Sequence, residues 1–277
     1  MRTGLRQYGY EDGKNIKLEV RTALGQLNRV PALAQELVQL KVDVIVVAND
    51  SALRAVLKAT NTIPIVMTGY TDDPTAMGWI ESYRRPGKNV TGAFTANAAL
   101  IGKRLELLKE MLPGISRVAV FWDQAFGAGQ LGEARRLAPQ LGLQIQPIQV
   151  GNLDDVVTAV ATAKQAKAQA ILLIWSPVFY VNRNRLIALA MEAKLPVFTD
   201  TNVITDAGAL LSYGSFGFAS FLRAGRYIDQ LLKGVKPATL PVEQMENIKL
   251  VVNSTTAKTL GIKIPESIVV RADEVVR

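Results

Sequence analysis

Apolar residues in this chain fall into two kinds of pattern. Short unbroken runs, VIVVA (44–48), IPIVM (63–67), VAVFW (118–122) and AILLI (170–174), suit strands buried on both faces. Between them, VPALAQELVQL (30–40), SALRAVLKAT (51–60), LIGKRLELLKEML (100–112), GEARRLAPQL (132–141), LDDVVTAVATAK (153–164) and VNRNRLIALAMEAK (181–194) repeat apolar positions at three and four residues, as amphipathic helices do. KLEVR (17–21), NVTGAF (89–94), LQIQPIQV (143–150), PVFTD (196–200) and ALLSYG (209–214) read as further strands, and PTAMGWIESY (74–83) as a further helix. Strand and helix alternate throughout, which predicts an α/β chain of parallel sheets flanked by helices.

The alternation comes in two similar series. The segments 41–69 and 167–200 each run strand, polar turn, helix and a short Pro-led strand ending near Thr, which implies two Rossmann-like lobes. After the second series, FGFASFLRAGRYIDQLLKG predicts an amphipathic helix with Phe218, Phe221, Leu222, Gly225, Ile228 and Leu232 on one side and Gly234 as its stop. A tail helix is predicted from about Ser254.

Polar residues gather where the predicted strands end. VIVVA runs into Asn49-Asp50-Ser51, IVM into Thr68-Gly69-Tyr70-Thr71-Asp72-Asp73, VAVF into Trp122-Asp123, ILLI into Trp175-Ser176, PVF into Thr199-Asp200 and ALL into Ser212-Tyr213. Taken singly, each is explained by helix capping, with Asp73 as an N-cap ahead of Pro74. Aromatic residues make up only 6% of the chain, yet Tyr70, Trp122, Trp175 and Tyr213 all stand at these ends, which capping does not explain. Ligands of open parallel sheets bind beyond the carboxyl ends of the strands, and several rings there form a slot for a flat or apolar group.

Composition removes whole classes of chemistry. The chain of 277 residues, 49% apolar, is long enough for two cores. It has no Cys and no His, so disulfides, thiolate catalysis and Ser-His-Asp or Cys-His arrangements are excluded. A formal charge of +8 is spread over predicted helix faces and loops, including the pairs Arg84-Arg85 and Lys103-Arg104, and is read as solvated surface without a nucleic-acid partner. Neither a membrane-length apolar run nor a basic-apolar-small leader is found, no string such as GxGxxG or a P-loop follows a strand, and no cofactor or metal is predicted.

Several segments taken in order, GLRQYGYEDGKNIKLE, DVIVVANDSALRAV, TIPIVMTGYTDDP, RPGKNVTGAF, KRLELLKEMLPGISRVAVFWD, LPVFTD, GALLSYG, LLKGVKPATLPVEQ and TAKTLGIKIPESIVVRADEVV, resemble the substrate-binding proteins of ABC transporters related to the tryptophan- and phenylalanine-binding TrpX-type proteins. The resemblance implies a type I periplasmic-binding-protein fold, with an N-terminal lobe of residues 1–92 and 215–240 and a C-terminal lobe of 93–214 and 241–277. It implies ligand-binding roles for Asn49, Asp50, Ser51, Thr68, Gly69, Tyr70, Asp72, Trp122, Asp123, Trp175, Ser176, Asp200 and Tyr213. Many relatives carry small Thr or Ser where this chain has Asn-Asp. Relatives also open with an export signal and a first strand ahead of the helix entered at MRTGLRQYGY. The central sheet position of that strand is therefore expected to be missing, filled by another segment or by the partner of a homodimer, or removed by rearrangement.

The function this implies is non-enzymatic: the extracytoplasmic component of an ABC importer, periplasmic or membrane-associated outside the cell, which closes two lobes around a small solute and presents it to a membrane permease. The expected solute is an amino acid or an aromatic or branched carboxylate. Asp72 or Asp200 would meet an ammonium group, and Ser51 and Ser176 a carboxylate. The alternative is the ligand-sensing domain of a regulator with the same fold.

Overall fold

A computed structural model describes residues 1–23, 26–71, 73–215, 219–245 and 248–277. In chain order the elements begin with α1 (Arg2–Arg6), α2 (Val30–Gln39), β1 (Ile45–Val47), α3 (Asp50–Ala59), β2 (Ile65–Met67), β3 (Tyr70–Thr71) and β4 (Val90–Ala96). There follow α4 (Asn97–Met111), β5 (Arg117–Trp122), α5 (Ala128–Leu137), β6 (Gln144–Gln149), α6 (Leu153–Gln165), β7 (Ala170–Leu173), α7 (Pro177–Val181) and α8 (Arg183–Glu192). The chain ends with β8 (Val197–Thr199), α9 (Asn202–Asp206), β9 (Leu211–Ser215), α10 (Ala219–Leu232), β10 (Glu243–Gln244), β11 (Ile248–Asn253), α11 (Ser254–Thr259), α12 (Glu266–Arg271) and β12 (Glu274–Val276). Contacts divide it into two compact units, Met1–Ala96 with Gly217–Glu246, and Asn97–Phe216 with Asn247–Arg277.

In the first unit, β1, β2, β4 and β10 form a parallel sheet in that order, and β3 pairs with the end of β4. Ile45, Val47, Ile65, Met67, Val90 and Phe94 bury one face of it, with Leu53 and Val56 of α3 in the same cluster. Val66 and Ala93 bury the other face with Leu5 of α1 and Ala224, Tyr227, Ile228 and Leu231 of α10. Burial on both faces is what the unbroken apolar runs require.

Three expectations are corrected here. KLEVR joins no ladder among the described residues, and β1 pairs with β2 alone. A strand exists only where a neighbouring strand shares its backbone hydrogen bonds, and no strand among the described residues lies beside this segment. PTAMGWIESY forms a single turn: Asp73 Oδ1 accepts from the Thr75 and Ala76 amides, at 2.8 and 3.3 Å, but Gly78 at φ +68° turns the backbone left-handed and ends it. Trp79 and Ile80 then pack into the core as loop residues. The apolar face of α10 is Ala224–Tyr227–Ile228–Leu231, while Leu222 is 42% and Leu232 39% exposed. Phe218 lies outside the described residues. Gly225 and Ile228 lie on the buried face as expected, Gly225 because the α1 and α10 backbones meet there: a Cβ on it would stand 2.3 Å from the Gly4 carbonyl oxygen.

In the second unit the described strands form a seven-stranded sheet, β12-β11-β9-β8-β7-β5-β6, parallel except for the β9–β11 pair. The period-two alternation of β5 sorts its side chains: Val118 and Val120 join one cluster with α4 and α5, and Ala119 and Phe121 join another with α6 and α8. The strands β1, β2, β4 and β10 of the first unit therefore end on one edge of their sheet, and β5 to β9 of the second on one edge of theirs, with β11 and β12 running the opposite way.

Candidate functional site

In the first unit, Asn49 is the N-cap of α3. Its backbone is extended, and its side-chain oxygen accepts from the Ala52 amide at 2.9 Å. Asp50 follows in the first turn, where a carboxylate complements the helix dipole. Ser51 lines a cavity of about 350 Å³ between α2 and α3, together with Leu27, Val30, Arg54 and Lys58. At the end of β2, Thr68 is fully buried and Gly69 adopts φ +78°. A Cβ on Gly69 would stand 2.7 Å from the Ala48 carbonyl oxygen, so the β1 and β2 ends approach as only glycine allows.

Ser220, in the first turn of α10, accepts from the Gly69 amide at 2.9 Å and stands 3.5 Å from the Thr68 hydroxyl. Tyr70 lies in β3, its backbone paired with Thr95; its side chain lies outside the described residues, as does Asp72. The Asp73 carboxyl is held below its ordinary range: burial opposes this, but the bonds from the Thr75 hydroxyl and from the Thr75 and Ala76 amides prevail.

In the second unit, Trp122, Asp123, Trp175 and Ser176 come together where β5 and β7 end. Asp123 is only 9% exposed; its Oδ1 accepts from the Ala125 amide at 2.8 Å and its Oδ2 from the Ser176 hydroxyl at 2.7 Å. Ser176, 1% exposed, also caps α7 by accepting from the Val178 amide at 3.1 Å. These two side chains are thus committed to building the turn, and the half-buried rings beside them are what the turn presents. Trp175 meets Phe126 edge to face, with ring centroids 5.3 Å apart. Gly127 makes room for this packing: a Cβ there would stand 2.8 Å from Ile174 Cγ2 and 3.5 Å from the Trp122 Cβ.

Asp200 follows the end of β8, whereas Tyr213, expected at a strand end, is the middle residue of the adjacent β9, which continues to Ser215. Asp200 is 1% exposed, with the Thr199 hydroxyl 3.4 Å from its carboxylate. A Cβ on Gly214 would lie 2.1 Å from the Asp200 carbonyl oxygen, so the glycine of ALLSYG is fixed by this close approach. Tyr213 is half-buried against the core, and its carbonyl accepts from Arg104 Nε at 2.7 Å.

Sequence reasoning missed Phe126, Ser220 and Arg104. Beside Lys103 in the sequence, Arg104 reads as surface charge, yet it is 1% exposed, with Nη1 3.2 Å from Gln130 Oε1. The signal was positional. Residues 101, 104, 105, 108 and 111 form one helical stripe whose other members are core Ile, Leu, Leu and Met. Ser220 likewise precedes Ala224, Tyr227 and Ile228 on the buried stripe of α10.

The family model for ABC transporter substrate binding proteins matches residues 1–276. The chain belongs to this family. A tyrosine-binding protein of Clostridioides difficile is 26% identical over 272 residues, covering 94% of this chain and 74% of that protein. Among solved structures, a conserved domain protein of Vibrio cholerae is 29% identical with a TM-score of 0.82, and an ABC domain of Streptococcus pneumoniae in complex with L-Trp is 25% identical with a TM-score of 0.81. Each alignment covers 99% of this chain and 92% of the other. More distant solute-binding proteins share the fold, which is that of type I periplasmic binding proteins, as the chain's two α/β units and the resemblance in sequence indicated. Substrate-binding proteins of this family bind small solutes; no helix among the described residues is long and apolar enough to cross a membrane.

Proposed function

We propose that this protein is the extracytoplasmic solute-binding component of an ABC importer, and that its solute is an aromatic amino acid or a related aromatic carboxylate held by residues of both units. The observation that carries this is the ring cluster at the strand ends of the second unit, Trp175 against Phe126 with Trp122 on the neighbouring strand end, over a turn whose polar groups are already satisfied. Satisfied polar groups leave the rings as the surface offered to a ligand, and a planar apolar group gains both area and edge-to-face contact there. The relatives that bind tyrosine and L-Trp support the same class.

A solute that touches both units only when they close has differential affinity for the closed form, which a permease can then recognise. No chemical step is required of the protein. Asn49 and Gly69 of the first unit, and the exposed edges of Trp122, Trp175 and Tyr213 of the second, are the proposed contacts; Asp123 and Ser176 act by holding the turn. A thermal-shift screen of L-tryptophan, L-tyrosine, L-phenylalanine and benzoate tests this, because a ligand at a hundred times its dissociation constant adds about 2.7 kcal/mol of apparent stability. A shift with at least one of these and none with sugars is expected. Unchanged melting with all four refutes the solute class.

A further inference from the structure

We propose that Arg104, buried in α4 of the second unit, is a positioning residue that sets the rings of the proposed solute site. This rests on the reading of those rings as ligand contacts, but its structural core is independent of any ligand. A guanidinium 1% exposed is a costly group to keep in a core, since a buried charge gives up its hydration. The stripe it occupies is otherwise filled by Ile101, Leu105, Leu108 and Met111, and a leucine would meet the packing requirement there.

What the guanidinium does that leucine cannot is reach two separate elements with fixed geometry. Nε donates to the Tyr213 carbonyl at 2.7 Å, which holds the middle of β9, and Nη1 donates to Gln130 Oε1 at 3.2 Å, which holds the first turn of α5. Gln130 is itself buried, at 5% exposure. The loop entering α5 carries Phe126, whose ring meets Trp175. One planar fork therefore ties the strand that presents Tyr213 to the helix whose entry presents Phe126. Lysine, a single flexible ammonium, cannot hold both acceptors in that plane.

The test uses the full chain labelled with 5-fluorotryptophan, whose three tryptophans give three fluorine resonances assigned by single Trp-to-Phe changes. Arg104→Lys is expected to shift, split or broaden the Trp175 resonance while Trp79, in the first unit, keeps its wild-type position as internal control. Gln130→Ala, a milder change, is expected to do the same to a lesser degree, and it decides the matter if Arg104→Lys does not fold. For L-tyrosine, the dissociation constant of Arg104→Lys is expected to rise about tenfold, on the scale of one lost hydrogen bond's contribution.

Lower melting temperatures with an unmoved Trp175 resonance and unchanged affinity would assign Arg104 to packing alone and overturn the proposal. If the wild type binds no aromatic amino acid, the solute reading fails, and the Trp175 resonance still decides whether Arg104 sets the rings.

Discussion

Replacing Ser176 with Ala isolates the bond that closes the Trp175 turn. The hydroxyl donates to Asp123 Oδ2 at 2.7 Å and accepts from the Val178 amide at 3.1 Å, in a position 1% exposed to solvent. Losing the first bond leaves a buried carboxylate oxygen short of a partner, which costs about 1.5–3 kcal/mol for a charge-assisted bond. Losing the second removes an N-cap and costs about 1 kcal/mol. Because one hydroxyl makes both bonds and the loop relaxes in part, the expected total is about 2–4 kcal/mol.

Urea unfolding followed by circular dichroism measures this directly, with the midpoint falling at constant slope. A double-mutant cycle with Asp123→Ala then separates the pair from the cap: about 1–2 kcal/mol of coupling is expected, since each single change already strands the other partner. A coupling below about 0.5 kcal/mol would mean that solvent screens the two groups, and that the turn is not built as described.

Three further outcomes are expected. Trp175→Ala should weaken binding of an aromatic amino acid by at least about tenfold, from lost area and ring contact, while leaving the unfolding transition cooperative; collapse of the fold instead would make Trp175 a core residue. Gly69→Ala, which must place a Cβ 2.7 Å from the Ala48 carbonyl at φ +78°, should cost about 1–3 kcal/mol, read as a fall in melting temperature; an unchanged melting temperature would show that the β1 and β2 ends are farther apart. Asp73 has a folded-state pKa below its unfolded one, so its contribution is present above about pH 4 and is lost as pH falls through the folded value. Asp73→Asn keeps a capping oxygen and should flatten the decline of stability below about pH 4, whereas an unaltered acid limb would exclude Asp73 as its source.

The parts of the fold legible in the sequence are those where one physical requirement dominates. VIVVA, IPIVM, VAVFW and AILLI are buried on both sheet faces, and no polar residue survives there. Strand-end capping was legible at Asn49, Asp73 and Ser176 for the same reason: the first amides of a helical turn need an acceptor. KLEVR has the composition of a strand, but a strand exists only beside a partner, and composition does not report neighbours. PTAMGWIESY keeps helical spacing across Gly78, and whether a glycine interrupts or ends a helix depends on its backbone angle.

Among candidate site residues, the sequence distinguished poorly between groups that build a turn and groups that face a ligand. Asp123 and Ser176 look like ligand-binding residues until their mutual bond is seen. Arg104 looks like surface charge until its place on the Ile101–Leu105–Leu108 stripe is considered. Charge alone is a weak guide to exposure when a side chain can reach a carbonyl and an amide inside the core.

The most direct test of the solute reading is isothermal titration of L-tyrosine and L-phenylalanine into the wild-type protein and into Trp175→Ala under identical conditions. A saturable single-site heat in the wild type with at least one of them, weakened by about tenfold or more in the variant, is the predicted result. The absence of binding by either compound, or equal affinity in the two proteins, would contradict it.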